Sequence, residues 1–215
     1  RMRRLAEIGV ALAESIDYEK TLNRLADLMV PDHADWCIID LLQEGSNVCR
    51  RVAVRTSRKE LESLADEFRR NYAPDLNQPH PILKAIETGQ SDHTLETDDS
   101  WAESRARDDR HRFLLEQMQV NSAIIVPLRV QGWVVGTLSL FASRYSGRKY
   151  TMADVQFAEE VSRRASVALD NAGLFRDLSK ELSERKRVEA ALRQVSERLE
   201  LAQEAANIGA FERDL

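Results

Sequence analysis

Two hydroxyls on a strand that must be covered on both sides, Thr137 and Ser139, are the side chains whose placement most invites chemistry. They lie in WVVGTLSLF, residues 133–141, where Val134, Leu138 and Leu140 alternate with Val135, Thr137, Ser139 and Phe141. One side of this strand is apolar, and the other is smaller and partly polar. A hydroxyl buried without a partner costs about 1–3 kcal/mol. Such a face therefore either borders a cavity for water or a small ligand, or bonds each hydroxyl to nearby backbone. A second strand-like run, DWCIIDLL at 35–42, adds Asp40, which by alternation shares a face with Trp36, Ile38 and Leu42. Its carboxylate is either solvated near the strand end or faces the same cavity as a polar anchor. Trp36, Ile38, Asp40, Thr137, Ser139 and Phe141 form the candidate ligand-binding set, roofed by residues 57–119.

Other reactive side chains have weaker patterns. Cys37 and Cys49 both fall in strand-like runs and belong to no CxxC or metal-spaced set. They read as reduced, buried thiols, with a disulfide or a reactive thiol as the alternatives. His80, His93 and His111 stand near Asp92, Asp98, Asp99, Asp108 and Asp109, but no HxH, HxxxH or HExxH spacing links them. They read as solvated loop residues and not as metal ligands, and no catalytic residue is assigned.

The elements that position these groups follow from periodicity. Residues 123–128 (AIIVPL) are apolar throughout, so that strand needs cover on both faces, and Gln131-Gly132 marks a tight turn into its partner. A hairpin over 35–54 and a brief edge strand at 91–95 complete the strand pattern. Leu5, Ile8, Leu12 and Ile16 recur at helical spacing, and Asp17 caps a second helix carrying Leu22, Leu25 and Met29. Ser57-Arg-Lys-Glu60, Ser100-Trp-Ala-Glu103 and Thr151-Met-Ala-Asp154 read as capping boxes opening three further helices. Three of the five prolines fall within residues 73–81, which read as a loop before a short helix at 82–86.

From Thr151 to about Ala206 there is no proline and only one glycine, Gly173, so a helix of roughly 55 residues is expected. Val161, Ala168, Phe175, Leu178, Leu182, Val188, Leu192, Val195 and Leu199 trace a coiled-coil seam. It slips in phase where Arg185 occupies a seam position, which either allows two packings or lets Arg185 snorkel from a static coil. With Leu5, Ile8 and Leu12 of the first helix, these residues are the expected interface of a parallel homodimer. The formal charge of −5 and the lack of a basic stripe argue against a nucleic-acid partner, and no apolar run approaches the length of a membrane helix.

The order of these elements, with AIETGQ in a variable middle, SAIIVPLRVQGWVVGTLSLFAS and the helix ending VALDNAGLF, resembles a GAF domain over residues 1–175. The following residues, 176–198, resemble a coiled-coil signalling linker, and 199–215 resemble the start of a PAS domain. This implies an α+β fold: an antiparallel sheet of about six strands with helices on both faces, plus the long helix. It also implies a cytoplasmic regulatory sensor in a bacterial signalling protein such as a sensor histidine kinase, itself without enzymatic activity in this segment. Downstream PAS and output domains would be its partners in cis, a small molecule its possible ligand, and membrane contact is not expected. The cofactor stays unknown: the sequence lacks an NKFDE-like motif and the Cys-His placement of bilin binders, so none bound covalently is expected. A ligand-free spacer and a GAF-fold methionine sulfoxide reductase are the alternatives.

Overall fold

The computed structural model describes residues 5–6, 8–9, 12, 17–43 and 45–211, of which 176–177 and 199–211 are described in backbone alone. In chain order the elements are α1 (Tyr18–Met29), β1 (Trp36–Leu42), β2 (Cys49–Thr56), α2 (Glu62–Asn71), α3 (Leu83–Thr88), β3 (Asp92–Thr94), α4 (Asp109–Met118), β4 (Val120–Val130), β5 (Trp133–Ser143) and α5 (Met152–Phe211). Leu5, Ala6, Ile8, Gly9 and Leu12 are helical, and the rest of the helix expected up to Ile16 lies outside the described residues. The chain forms two units, Arg1–Ala172 and Gly173–Leu215.

The first unit is built on an antiparallel sheet in the order β2-β1-β5-β4-β3, so the β4–β5 hairpin lies at and beside its centre. The hairpin turns at Gln131 (φ 50°) and Gly132 (φ 85°), and two successive positive φ values match the right-handed twist of the strands they join. About six strands were expected, and five are present among the described residues. The proline-rich segment 73–81 approaches β2 but forms only an isolated bridge, Val48 to Asp75. Prolines 74, 79 and 81 lack the N–H groups that a longer ladder requires.

Each face of the sheet is covered by a different set of helices. Cys37, Ile39, Ile124, Val126, Leu138 and Leu140 pack against α1 and the early turns of α5, which contribute Leu22, Leu25, Val155, Ala158 and Val161. Trp36, Ile38, Ala123 and Phe141 pack on the other side against Leu61, Phe68, Leu114 and Met118 of the middle segment. Val135 joins the first cluster and not the second, because a register shift opposite Leu128 and Arg129 breaks the alternation.

The caps were read less well than the strands. Asp17 caps α1 by accepting from the Glu19 and Lys20 N–H groups, and Thr151 donates from its N–H to the Asp154 carboxylate as a capping box should. Ser57 and Ser100 cap nothing. Ser57 lies near Asp35, and Ser100 bonds Asp98, while short 3₁₀ turns at Lys59–Leu61 and Glu103–Arg105 intervene. The N-cap of α4 is Asp108, whose carboxylate accepts the His111 N–H at 2.7 Å.

Candidate functional site

The six residues read from strand alternation meet as three directly opposed pairs on β1 and β5: Trp36 with Phe141, Ile38 with Ser139, and Asp40 with Thr137. They form one patch on the sheet face under α2 and α4. Above it lies a cavity of ≈ 40 Å³, bordered by Ile38, Asp40, Ser139 and Phe141 below and by Phe68, Trp101, Arg105, His111 and Met118 above, with Arg51 and His80 at its sides. Trp36 and Thr137 belong to the same patch but do not border the cavity itself. Neither strand hydroxyl bonds to nearby backbone. Thr137 Oγ1, Ser139 Oγ and Trp36 Nε1 are buried without a hydrogen-bond partner among the described residues.

Asp40 is not solvated. It is 1 % exposed and holds a fork of two bonds from Arg51, Nε to Oδ1 at 2.9 Å and Nη2 to Oδ2 at 3.2 Å. The pair is in cross-strand register beside a bulge at Val52 of β2, and its environment leaves little unsatisfied. Arg51 Nη1 donates to the Tyr72 carbonyl at 2.8 Å, and the guanidinium stacks 4.5 Å from the Phe68 ring. Close approach of β1 to β5 is what seats Asp40 here: a Cβ on Gly136 would lie 2.2 Å from the Asp40 carbonyl oxygen.

Sequence reasoning placed the roof in residues 57–119 but named none of its side chains. Arg51 carried a legible signal, since a lone arginine on one strand of a hairpin can neutralise a lone aspartate on the other. His111 was read as solvated and is buried at 4 % exposure, stacked on Tyr72 at 4.4 Å. Its Nδ1 accepts the Arg107 N–H, and His80 Nδ1 accepts the Ile82 N–H, so each neutral ring carries its proton on Nε2. Burial, reinforced by Arg51 and Arg107, pushes His80 down to about 3; burial, with Arg107 and Arg51, pushes His111 down to about 4. Arg105 donates through Nη1 to the Trp101 carbonyl and to Ser104, while its Nε is buried and unpartnered. Among the described residues no group of three His, Cys, Asp or Glu side chains is placed to hold a metal ion.

Residues 18–169 match the profile of the GAF domain. The chain belongs to the GAF domain family. Among curated proteins no sequence matches it. Solved structures share the fold at low identity. A methyl-accepting chemotaxis protein, residues 122 to 287, is 18% identical with a TM-score of 0.59, covering 78% of this chain and 98% of its own. The free methionine-R-sulfoxide reductase of Neisseria meningitidis, in complex with its substrate, is 12% identical with a TM-score of 0.58, covering 79% and 88%. A domain of a putative two-component sensor histidine kinase of Sinorhizobium meliloti is 15% identical with a TM-score of 0.51, covering 74% and 94%.

Both cysteines of this GAF domain are free and buried, and neither borders the cavity. Burial pushes the Cys37 thiol far above its ordinary range and the Cys49 thiol up to about 12. A wider groove of ≈ 730 Å³, between the β3 edge and the early turns of α5, is open to solvent, and several of its polar groups are already bonded, Arg129 to Gly89 and Ser91 to Glu159.

The residues expected at a dimer interface divide into two groups. Ile8, Leu12 and Val161 are buried in the domain core, with Leu5 and Ala168 packed against it. Val161 was placed on the seam, and it has no surface left to give a partner, because its spacing serves the sheet as well as it would a second helix. Phe175, Leu178, Leu182, Val188, Leu192 and Val195 are all at least half exposed, together with Leu174. The side chain of Leu199 lies outside the described residues, and of the expected start of a PAS domain at 199–215 only the helical backbone of 199–211 is described.

Proposed function

We propose that this GAF domain is the regulatory sensor module of a cytoplasmic bacterial signalling protein of the sensor histidine kinase kind, and that it works as a parallel homodimer. The observation that carries this reading is the apolar stripe of the second unit. Phe175, Leu178, Leu182, Val188, Leu192 and Val195 recur at mostly three- and four-residue steps on one continuous helix and stand in solvent. An isolated helix gains too little from propensity to hold such a stripe exposed, and a second copy offers the matching surface. Arg185, at the slip in the seam, pairs with Glu189 of its own helix at 3.1 Å, and either lets the seam settle in two packings or snorkels from a static coil. Parallel pairing delivers the motions of both domains to one downstream end, where a PAS domain and the output domain would follow. The relay needs no partner nucleic acid and no membrane contact by this segment; among the described residues no helix is long and apolar enough to cross a membrane.

The cavity supplies the input in this reading, through a small ligand on the patch of Trp36, Ile38, Asp40, Thr137, Ser139 and Phe141. Its small volume favours a second reading, in which the domain is a ligand-free spacer that contributes only dimerisation. Thiol-based reduction has less support, because both cysteines are buried away from the cavity with thiolates strongly disfavoured. Light scattering tests the dimer. The parent chain at tens of micromolar should have the mass of two copies, and Leu182→Asp with Leu192→Asp should give one; a monomeric parent overturns the proposal.

A further inference from the structure

The cavity between the β1–β5 patch and α4 is polar in one sense only. Its donors are in excess: Arg105 Nε is buried and unpartnered, and His80 and His111 each carry their proton on Nε2 because Nδ1 is occupied by a backbone N–H. Its one carboxylate is already paired, since both oxygens of Asp40 are engaged by Arg51. Ser139 Oγ is the one remaining hydroxyl on the lining, 2 % exposed and without a partner among the described residues. Charge points the same way. Arg51 is neutralised by Asp40, whereas Arg105 bonds only to the Trp101 carbonyl, Ser104 Oγ and the face of the Trp101 ring. No carboxylate bonds to Arg105; burial lowers its pKa, and Asp98 lies near enough to offset part of that cost. A ligand ammonium would be repelled by Arg105, and a neutral apolar molecule would leave Arg105 and Ser139 as they are.

We infer that the cavity is a binding site for a small monocarboxylate, whose oxygens take the Arg105 Nε–H and the Ser139 hydroxyl as donors. This rests on the reading of the cavity as the sensing site and names the ligand class. The size follows from volume. At ≈ 40 Å³ the space holds about three water-sized groups, which matches a carboxylate of two or three carbons and excludes a nucleotide or a tetrapyrrole in this conformation. The neutral histidines add donors without adding charge, and Asp98 offsets Arg105 without bonding it, so one anion completes the coordination of that cation. Trp101 borders the cavity and stacks on Arg105, which makes its indole a built-in reporter.

The test is thermal unfolding and tryptophan fluorescence of the intact chain with sodium acetate or sodium propionate, against acetamide and against sodium chloride at matched ionic strength. Saturable stabilisation and a fluorescence change are expected with the carboxylates alone. Arg105→Gln should weaken the carboxylate midpoint at least tenfold, Arg105→Lys should retain part of it, and Arg112→Gln, on the exposed face of α4, should leave it unchanged. Ser139→Ala gives a second, conservative probe and should weaken binding several-fold. No carboxylate effect beyond that of chloride, an equal effect of acetamide, or an unchanged midpoint in both Arg105→Gln and Ser139→Ala overturns the inference. Light scattering on the same samples separates the two proposals: a dimer indifferent to carboxylates sinks this one alone, and a monomer that binds them sinks the dimer relay alone.

Discussion

Asp40 and Arg51 show how a charged pair is tolerated inside the sheet's covered face. Each side chain is only 2 % exposed, and the fork, the Tyr72 carbonyl and the Phe68 ring together satisfy the guanidinium. Removing one partner leaves the other charge buried and alone. Arg51→Met should therefore cost about 3–5 kcal/mol in urea unfolding, and adding Asp40→Leu should recover most of that loss. Recovery in the double variant is the informative result, because a purely steric role for Arg51 would not give it. The buried histidines predict a pH dependence. Both rings titrate near 6.5 when unfolded and at about 3 and about 4 when folded. Between pH 6.5 and 4 the unfolded chain binds protons that the folded chain refuses, so stability is complete above 6.5 and falls as the pH drops. The slope should reach up to about 1.4 kcal/mol per pH unit for each ring. Urea midpoints measured from pH 7 to 5 should show it, and a chain carrying His80→Gln and His111→Gln should show a flatter line. The floor of the site was legible because a strand's alternation states which side chains share a face. The roof was legible only as the segment 57–119, since Trp101, Arg105 and His111, with His80 beside them, come from loops and short helices whose packing has no period to read.

At the scale of elements, the β1–β5 contact decides where the site sits. Gly136 lets the two strands approach so closely that a methyl group would meet the Asp40 carbonyl and the Leu41 side chain. Gly136→Ala should destabilise the domain by about 1–3 kcal/mol, the usual range for overpacking a dense interior. It should also disturb the neighbouring Asp40–Arg51 fork. Unchanged unfolding in that variant would mean that β1 can shift at little cost. Strands and the long helix were readable from hydrophobic period, and Met152–Phe211 is helical as the run without proline required. The starts of the middle helices were less readable. Ser57 and Ser100 have the capping pattern, but competing carboxylates at Asp35 and Asp98 claim their hydroxyls.

For the whole molecule, the central claim is that two copies pair in parallel along α5. Seam spacing alone misplaced Val161, which serves the core, because the same three- and four-residue steps face a sheet in one stretch and solvent in the next. Exposure of the stripe from Phe175 to Val195 locates the surface available to a partner. In a parallel two-stranded coil each seam residue lies opposite its own copy, whereas in an antiparallel one it faces a different residue. Cys37 and Cys49 are buried, so a single cysteine placed on the seam reports alone. The most direct measurement is mild oxidation of Leu192→Cys at tens of micromolar, followed by non-reducing electrophoresis. Parallel pairing predicts a covalent dimer in high yield, as the geometry of a disulfide requires Cβ atoms about 4 Å apart. A chain that remains uncrosslinked under these conditions would contradict the account.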